Sequence, residues 1–371
     1  MTGLANDDPP KKPLHSRHVC QPQRLSAAQA GLRRVPIVAP GAYVPLLKDV
    51  IEHFQNFVKT RRSPLMVDYT FPQRSKTRAE TWHERRLVKS GLKDLKSEHH
   101  AALMRLIRNQ AVILAPRTDQ EVDELFADIH AEAPWFAEVS TFLMHRVRAD
   151  VAAGRPGFCP PPMVLVGRPG DGKSLYARRL AQRLTLPYRQ IDVGSGTAGF
   201  RISGLKRGWA SAMPGTPVET IVATGVANPA MIVDEVDKAG SLEFNHTDQS
   251  TSITRSLLQV LEPQKAANFD CPFYHVRFDL RTVVRILTAN SAANMPDPLR
   301  DRCRVFHIQP PTPAQIFASY DRLSARLDDD LCEIGRRIIL QRLKTVKGFN
   351  LRAMHRLIDT LNSRFEDPRL H

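Results

Sequence analysis

Cysteines are few in this sequence, and long hydrophobic runs are missing. The 371 residues include five widely separated cysteines and no Cys-x-x-Cys pair. Such an odd, scattered set argues against a disulfide framework and against a cysteine zinc site. No apolar run approaches the ~20 residues that span a bilayer, and the first twenty residues lack the apolar block of a secretory leader. We therefore expect a cytoplasmic protein without a membrane partner.

Acidic residues are scarce relative to basic ones. The chain has 53 Lys and Arg against 38 Asp and Glu, a net charge of +15. Residues 1–110 carry 20 basic and 9 acidic residues, so +11 of the excess lies there. Basic segments contact nucleic acid in many proteins, but solvated Lys and Arg are commoner, and no RNP or zinc-finger pattern accompanies these. Nucleic acid is therefore one candidate partner of the N-terminal region.

Composition and periodicity divide the chain into four segments. Residues 1–40 contain six prolines and little apolar periodicity, which favours a disordered tail. Residues 41–133 are predicted to form a basic helical region, since apolar residues recur at spacings of three and four. Residues 134–310 are predicted to form an α/β domain, and residues 311–371 a small all-helical domain. The helices before the α/β sheet are predicted at 44–58, 100–114, 122–129 and 135–151.

Short apolar runs, separated by helical stretches, define the pattern of the α/β domain. Buried parallel strands read as continuous apolar runs because helices cover both faces of their sheet. The sequence therefore predicts a parallel sheet with helices on each side. The predicted strands are 163–166, 188–193, 230–233, 282–287 and 304–308.

The first predicted strand runs directly into a GxxxxGK[ST] motif. In such a loop, glycines let backbone N–H groups face phosphates. Lys173 would reach the β- and γ-phosphates, and Ser174 would supply an oxygen to Mg²⁺. Because the motif lies between a predicted strand and a predicted helix, it indicates nucleotide binding. The predicted binding residues are Gly167, Arg168, Pro169, Gly170, Asp171, Gly172, Lys173, Ser174 and Leu175.

The predicted strand 230–233 ends in two acidic residues, Asp234 and Glu235. Carboxyl ends of parallel strands meet at one edge of a sheet, so this pair is expected beside the phosphates. Asp234 would hold Mg²⁺, and Glu235 would polarise the water that attacks the γ-phosphate. An isolated Asp-Glu pair is more often a solvated strand end. Its combination with the glycine-rich loop favours the catalytic interpretation.

These motifs resemble those of AAA+ ATPases, and more narrowly those of the ATPase module of the Lon protease family, over about residues 135–360. Four blocks carry the resemblance: GLKRGWASAMPG at 204–215, DEVDKAG at 234–240, LLQVLEP at 257–263 and FDL at 278–280. The resemblance implies a P-loop NTPase fold of the AAA+ type with a helical lid. It also implies ATP and Mg²⁺ as ligands and hydrolysis of ATP.

The resemblance further implies roles for four residues outside the two motifs. Asn290 would help orient the attacking water, and Arg352 would lie over the phosphates from the lid. Arg302 would be the finger that reaches a neighbour's γ-phosphate, with Arg300 and Arg304 as competing assignments. Trp209 occupies the aromatic position of the family's pore loop.

A finger supplied by a neighbouring subunit implies a homo-oligomeric ring, a hexamer in the resembling family. Such a ring would remodel or unfold protein clients. The alternative is a nucleic-acid-handling ATPase, such as a loader or a transposition regulator, that uses the basic N-terminal region.

The sequence also departs from the Lon pattern. No stretch resembles the Ser-Lys peptidase domain, so we expect no peptide-bond cleavage by this chain. Residues 241–256 are longer than the family's usual spacing and polar, which predicts an additional surface loop.

Overall fold

The computed structural model describes residues 32–39, 42–61, 71–155, 157–195, 197–208, 211–239, 253–325, 327–345 and 349–366. Three predicted features lie outside these residues: residues 1–31 of the tail, Trp209, and residues 241–252 of the additional loop. The last residues of that predicted loop, 253–256, are helical in the structure. Within the described ranges, no helix is both long and apolar enough to cross a membrane.

A parallel sheet of five strands forms the centre of the chain, and two short antiparallel pairs accompany it. The lateral order of the large sheet is β4-β5-β8-β3-β9, and β1-β2 and β6-β7 are the small pairs. The five predicted strands are thereby confirmed, with ends that shift by one or two residues. The described strands are β1 (Arg34–Val35), β2 (Ala111–Val112), β3 (Met163–Val166), β4 (Tyr188–Asp192), β5 (Ala230–Asp234), β6 (Phe269–Asp270), β7 (Arg277–Phe278), β8 (Val284–Ala289) and β9 (Arg304–His307).

Helices surround the sheet and form both ends of the described chain. The N-terminal ones are α1 (Leu47–Arg61), α2 (Phe71–Ser90), α3 (Ser97–Asn109), α4 (Asp119–Glu132) and α5 (Ala137–Ala152). Those between the strands are α6 (Lys173–Arg183), α7 (Ala198–Ser203), α8 (Thr216–Thr224), α9 (Ile253–Leu261), α10 (Pro263–Ala266) and α11 (Asp297–Arg300). The C-terminal ones are α12 (Pro313–Leu323), α13 (Asp329–Thr345) and α14 (Leu351–Glu366).

Both faces of the sheet are buried. Along β3, Val164 and Val166 join one apolar core, which α3, α7, α8 and α9 complete. Met163 and Leu165 join the other core, which α4, α5 and α6 cover. Successive side chains of a strand point to opposite faces, so an unbroken apolar run requires this two-sided covering.

The C-terminal helices α12, α13 and α14 form a small unit with its own core. Ile316, Tyr320, Ile339 and Met354 are buried there. A capping box at Thr312, in which the hydroxyl accepts a bond from the backbone N–H of Gln315, starts α12. The predicted fold class, a P-loop NTPase sheet with helical N- and C-terminal regions, is confirmed.

Part of the segment predicted to be a disordered tail is packed in the structure. Strand β1 pairs with β2, Ile37 is 3% exposed, and the backbone N–H of Asp279 donates to the carbonyl of Ile37 at 2.7 Å. Residues 32–39 therefore belong to the folded chain. Their apolar stretch is too short to show a periodicity, and its partners lie far along the sequence.

Two further features of the N-terminal region differ from the prediction. The helix predicted over 100–114 ends at Asn109, because Gln110 has φ 57° and residues 111–112 pair as strand β2. Helix α2 was not predicted. Its buried side chains include Ser75, Ala79 and His83, so its inner face carries no apolar stripe that periodicity could detect.

Candidate nucleotide-binding site

The glycine-rich loop connects the carboxyl end of β3 to the first residue of α6, Lys173. Gly170 and Gly172 have φ values of 89° and 91°, which L side chains rarely adopt. A Cβ on Gly170 would lie 2.4 Å from the side-chain nitrogen of Asn350. The two glycines therefore permit both the turn of the loop and its close contact with the lid.

Lys173 is the central cation of the loop. Its ammonium donates to the carbonyl oxygens of Gly167 at 2.8 Å and Arg168 at 3.0 Å, and to Oδ1 of Asn290 at 3.1 Å. The side chain is buried, and this burial lowers the pKa of Lys173; nearby Asp171 opposes the shift. The loop thus holds a desolvated cation whose hydrogen bonds can be exchanged for bonds to a phosphate.

Asp234 collects hydrogen-bond donors from three neighbouring elements. Its Oδ1 accepts from the hydroxyl of Ser174 at 2.6 Å and from that of Thr288 at 2.9 Å. Its Oδ2 accepts from the side-chain amide of Gln190 on β4. Asp234 is 8% exposed. The structure therefore brings the predicted metal residues Ser174 and Asp234 into direct contact at the carboxyl edge of the sheet.

The two residues predicted to act on water lie at the same edge. The backbone of Glu235 is left-handed with φ 60°, and its carboxylate pairs with the Lys238 ammonium at 2.5 Å. Asn290 follows β8, and its backbone N–H donates to Oδ2 of Asp237 at 3.2 Å. The Oδ1 atom of Asp237 is buried without a hydrogen-bond partner among the described residues.

A cavity of about 230 Å³ lies between the lid and the α/β core, beside Gly172. The rings of Phe136 and Tyr176 stack behind it with centroids 4.2 Å apart, and Met354 of α14 lines its lid side. The indole N–H of Trp135 donates to the carbonyl oxygen of Asp171 at 3.1 Å, which ties this wall to the loop. An apolar, aromatic-lined space next to a phosphate loop suits a planar base.

Asn350, which precedes helix α14 of the lid, contacts the loop through a hydrogen bond. The side-chain amide of Asn350 donates to the carbonyl oxygen of Pro169 at 3.1 Å, and its Oδ1 caps α14 by accepting from the N–H of Ala353 at 3.0 Å. Arg352, two residues later, is exposed and near enough that its charge helps lower the pKa of Lys173, after burial. The structure thus places Arg352 near Lys173.

Comparison with known proteins identifies the central domain. The model of the ATPase family associated with various cellular activities (AAA) matches residues 163–310. These residues are similar to an AAA ATPase domain, and we call them the AAA domain. The predicted resemblance to AAA+ ATPases is thereby confirmed.

The AAA domain is similar to a segment of Lon proteases. The mitochondrial Lon protease homolog of Caenorhabditis briggsae is 37% identical over 142 residues, which are 38% of this chain and 14% of that protein. Lon protease of Chlamydia muridarum is 38% identical over 144 residues, which are 39% of this chain and 17% of that protein. The chain therefore spans less than a fifth of the length of these relatives.

The chain also resembles a solved structure, but at a lower sequence identity than it has to the Lon proteases. A closed-state cryo-EM reconstruction of Hsp104 with ATPyS and FITC casein aligns with 86% of this chain and 56% of its own chain, at 14% identity and a TM-score of 0.49. At that score the likeness decides nothing about function.

The predicted finger lies at the edge of the AAA sheet opposite to the loop. Arg304, which opens β9, pairs with Met163 at the start of β3, whereas the loop leaves the far end of β3 at Val166. Arg302 precedes β9; its Nε donates to Glu262 at 2.7 Å and its Nη1 to the carbonyl oxygen of Pro298 at 2.9 Å. The fold therefore does not bring Arg302 to the loop of its own chain.

Gly204 and Gly215, the two ends of the segment 204–215 in the AAA domain, pack closely against each other. A Cβ on Gly204 would lie 2.5 Å from the nitrogen of Gly215, and a Cβ on Gly215 would lie 2.3 Å from the carbonyl oxygen of Ile202. The N–H of Leu205 donates to the carbonyl oxygen of Met213 at 2.9 Å. The described residues between these points, 205–208 and 211–213, are neither helical nor part of a strand. Trp209 lies outside the described residues.

Sequence reasoning did not single out several polar residues of this site. Thr288 stands two residues before Asn290 at the end of β8, and Gln190 is a polar residue in the middle of β4. Asn350 directly precedes α14, where an N-cap residue is expected. A strand-end position was the available signal for Thr288 and a cap position for Asn350, whereas Gln190 had neither. Only the fold shows that these residues lie at one site.

Proposed function

We propose that this chain binds ATP with Mg²⁺ at the carboxyl edge of the AAA sheet and hydrolyses it to ADP and phosphate. The observation that carries the proposal is the convergence of Lys173, Ser174, Asp234 and Asn290. Hydrogen bonds of 2.6 to 3.1 Å join them in two pairs, Ser174 with Asp234 and Lys173 with Asn290. These residues come from the loop, β5 and the end of β8, so only the folded sheet assembles them.

The residues present fit Mg²⁺. The Ser174 hydroxyl and the Asp234 carboxylate are hard oxygen donors of the kind that this ion takes in phosphoryl-transfer sites. The buried, unpaired Oδ1 of Asp237 adds an acceptor near Lys173 and Asn290. When bound, Mg²⁺ would neutralise phosphate charge; Ser174 and Asp234 would hold it.

The chain's own side chains supply the other roles. The Lys173 ammonium exchanges carbonyl contacts for the β- and γ-phosphates, where its charge is stabilised by an anion instead of by dipoles. The amide of Asn290 positions the attacking water. Glu235 accepts a proton from that water, which requires its carboxylate to release Lys238. Arg352 approaches the phosphates from the lid. The remaining binding residues are Gly167, Arg168, Pro169, Gly170, Asp171, Gly172 and Leu175.

The position of Arg302 supports a ring. Arg302 lies at the opposite edge of the sheet from Lys173, so its guanidinium does not serve the loop of its own chain and would serve that of a neighbouring subunit. A head-to-tail contact that repeats and closes makes a ring, and we propose a homo-hexamer in the cytoplasm. Such fingers contribute about 10³ to 10⁵ in rate in other phosphoryl-transfer enzymes.

We propose that the ring remodels or unfolds protein clients and does not itself cleave them. The segment between Gly204 and Gly215, whose two ends pack against each other, would present Trp209 to a polypeptide. A flat aromatic ring can press on a backbone of any sequence, as non-specific threading requires.

The rate of ATP hydrolysis tests this function. We expect the full chain to hydrolyse ATP faster with an unfolded protein such as casein than alone. Trp209→Ala should abolish this increase and keep the basal rate, whereas the control Trp82→Ala should keep both. A rate that rises with DNA and not with casein would overturn the proposal in favour of a nucleic-acid-handling ATPase.

A further inference from the structure

Most of the cations of helix α2 lie on one side of the helix. At about 100° per residue, five of its residues fall within about 80° of the helix circumference. They are Arg74, Arg78, Trp82, Arg85 and Lys89, and we call them the basic stripe. The acidic residues of the helix, Glu80 and Glu84, lie on the opposite flank, where Glu84 pairs with Lys93 at 3.6 Å.

Packing does not account for the basic stripe. The helix contacts the rest of the chain through a different face, which includes Ser75, Ala79 and His83. All five members of the stripe are exposed, and within the described residues none of its four cations forms an ion pair. Trp82 is 38% exposed, and the guanidinium of Arg86 lies 5.5 Å from its ring centroid. An exposed tryptophan among unpaired cations gives the folded chain no evident stability.

The basic stripe leads into a cavity that is also basic. The cavity has a volume of about 400 Å³ and lies between α2, the residues Ala39 and Ala42, and the start of strand β7. Arg86, Lys89 and Arg277 line it together with Ser90, and none of the described residues that line it carries a carboxylate. Asp270 stands opposite Arg277 in the β6-β7 ladder, but no ion pair joins the two. The cavity therefore offers three cations and a hydroxyl to an anion.

We infer that the basic stripe and this cavity bind a single strand of nucleic acid. From Arg74 to Lys89 the helix rises ~22 Å, a length that can contact several phosphates of a single strand. The cations of the stripe contact the phosphates, and Trp82 stacks on a base, since every base has a face that an aromatic ring can cover. This site is separate from the nucleotide site of the AAA domain.

Fluorescence anisotropy with the full chain tests the inference, using a labelled 12-nucleotide oligothymidylate as the probe. The triple variant Arg78→Gln, Arg85→Gln, Lys89→Gln removes three cations of the stripe. The matched control Lys48→Gln, Lys76→Gln, Arg105→Gln removes three exposed cations outside the stripe, of which Lys76 lies on another side of α2, so both variants have the same net charge. We expect at least a tenfold loss of affinity for the stripe variant and less than a twofold loss for the control.

The salt dependence and Trp82 sharpen this test. Single strands release about 0.7 counterion per neutralised phosphate, so the slope of log affinity against log salt should fall by about 2 in the stripe variant. Trp82→Ala should weaken binding about tenfold at unchanged slope. Equal losses in the stripe and control variants, or an unchanged slope in the stripe variant, would overturn the inference.

Two further binding measurements distinguish this site from the nucleotide site and from a lipid-binding surface. The variant Lys173→Met should bind the strand as the natural chain does, which keeps the result independent of ATP hydrolysis. Vesicles containing phosphatidylserine should bind weakly and without dependence on the stripe. Vesicle binding that the stripe variant abolishes, with no binding of the oligonucleotide, would show a lipid surface and refute the inference. Unchanged thermal unfolding of each variant confirms that it folds.

Discussion

Replacing Lys173 by methionine should abolish nucleotide binding and leave the fold nearly as stable as before. Hydrogen bonds to a charged group typically contribute about 1.5 to 3 kcal/mol each, and Lys173 makes three. Burial nevertheless lowers the pKa of Lys173, so folding disfavours its charged form. The bonds therefore do not offset the desolvation of the ammonium.

Methionine keeps most of the aliphatic stem and removes that unfavourable charge. The variant leaves acceptors in the loop without a donor, at about 1 to 3 kcal/mol for a buried one. Because the two effects oppose each other, we expect the free energy of unfolding to change by about 1 kcal/mol or less. A nucleotide at a hundredfold excess over its Kd should add ~2.7 kcal/mol to the natural chain and nothing to the variant.

Urea unfolding with and without a non-hydrolysable ATP analogue and Mg²⁺ measures both quantities. The sign of the pH dependence gives a second check. Between the lowered pKa of folded Lys173 and its ordinary value of 10.5, the unfolded chain binds more protons, so the natural chain should gain stability relative to the variant as pH rises. A loss above about 3 kcal/mol without nucleotide would show that the ammonium is a structural group. Stabilisation of the variant by the analogue would refute the binding role.

Three other substitutions test the remaining parts of the site. Glu235→Gln should keep the affinity for ATP while turnover falls by orders of magnitude, because an amide cannot accept the proton; normal turnover would remove the assignment. Arg302→Ala should bind ATP without hydrolysing it, and mixing it with Lys173→Met subunits should restore some activity, whereas an inactive Arg300→Ala beside a normal Arg302→Ala would move the finger. Gly170→Ala should weaken ATP binding and stability, because its Cβ would meet the amide of Asn350 at 2.4 Å. The control is Gly154→Ala, at a glycine with φ 65° where an added Cβ would have no atom within 4 Å. It should show the loss of stability that the backbone conformation alone causes. Equal losses of stability in the two variants would argue against the contact with Asn350.

The central domain was the part most accessible from sequence. The run Met163–Val166 is continuous and apolar because both faces of its sheet are covered, and the loop motif follows it without a gap. Contiguous motifs of this kind report local geometry, since the strand, the turn and the helix N-terminus all lie within about a dozen residues.

Features that depend on distant partners could not be predicted. The contact between Gln190 and Asp234, and that between Asn350 and Pro169, join residues that are neighbours only in the folded chain. Ile37 is buried because β7 and residue 279 lie beside it, not because its own segment has a pattern. Helix α2 was not predicted because its own buried side chains are small or polar, so its sequence shows no apolar periodicity.

Because the loop and Arg302 lie at opposite edges of one sheet, we expect the rate of hydrolysis to be proportional to the number of interfaces between subunits. In the proposed arrangement, each complete site takes one edge from each of two subunits, so a lone chain has none. An open stack of n subunits has n − 1 complete sites, and closing it into a ring adds one more without any new protein. Turnover per chain should therefore rise with concentration and level off when the rings close.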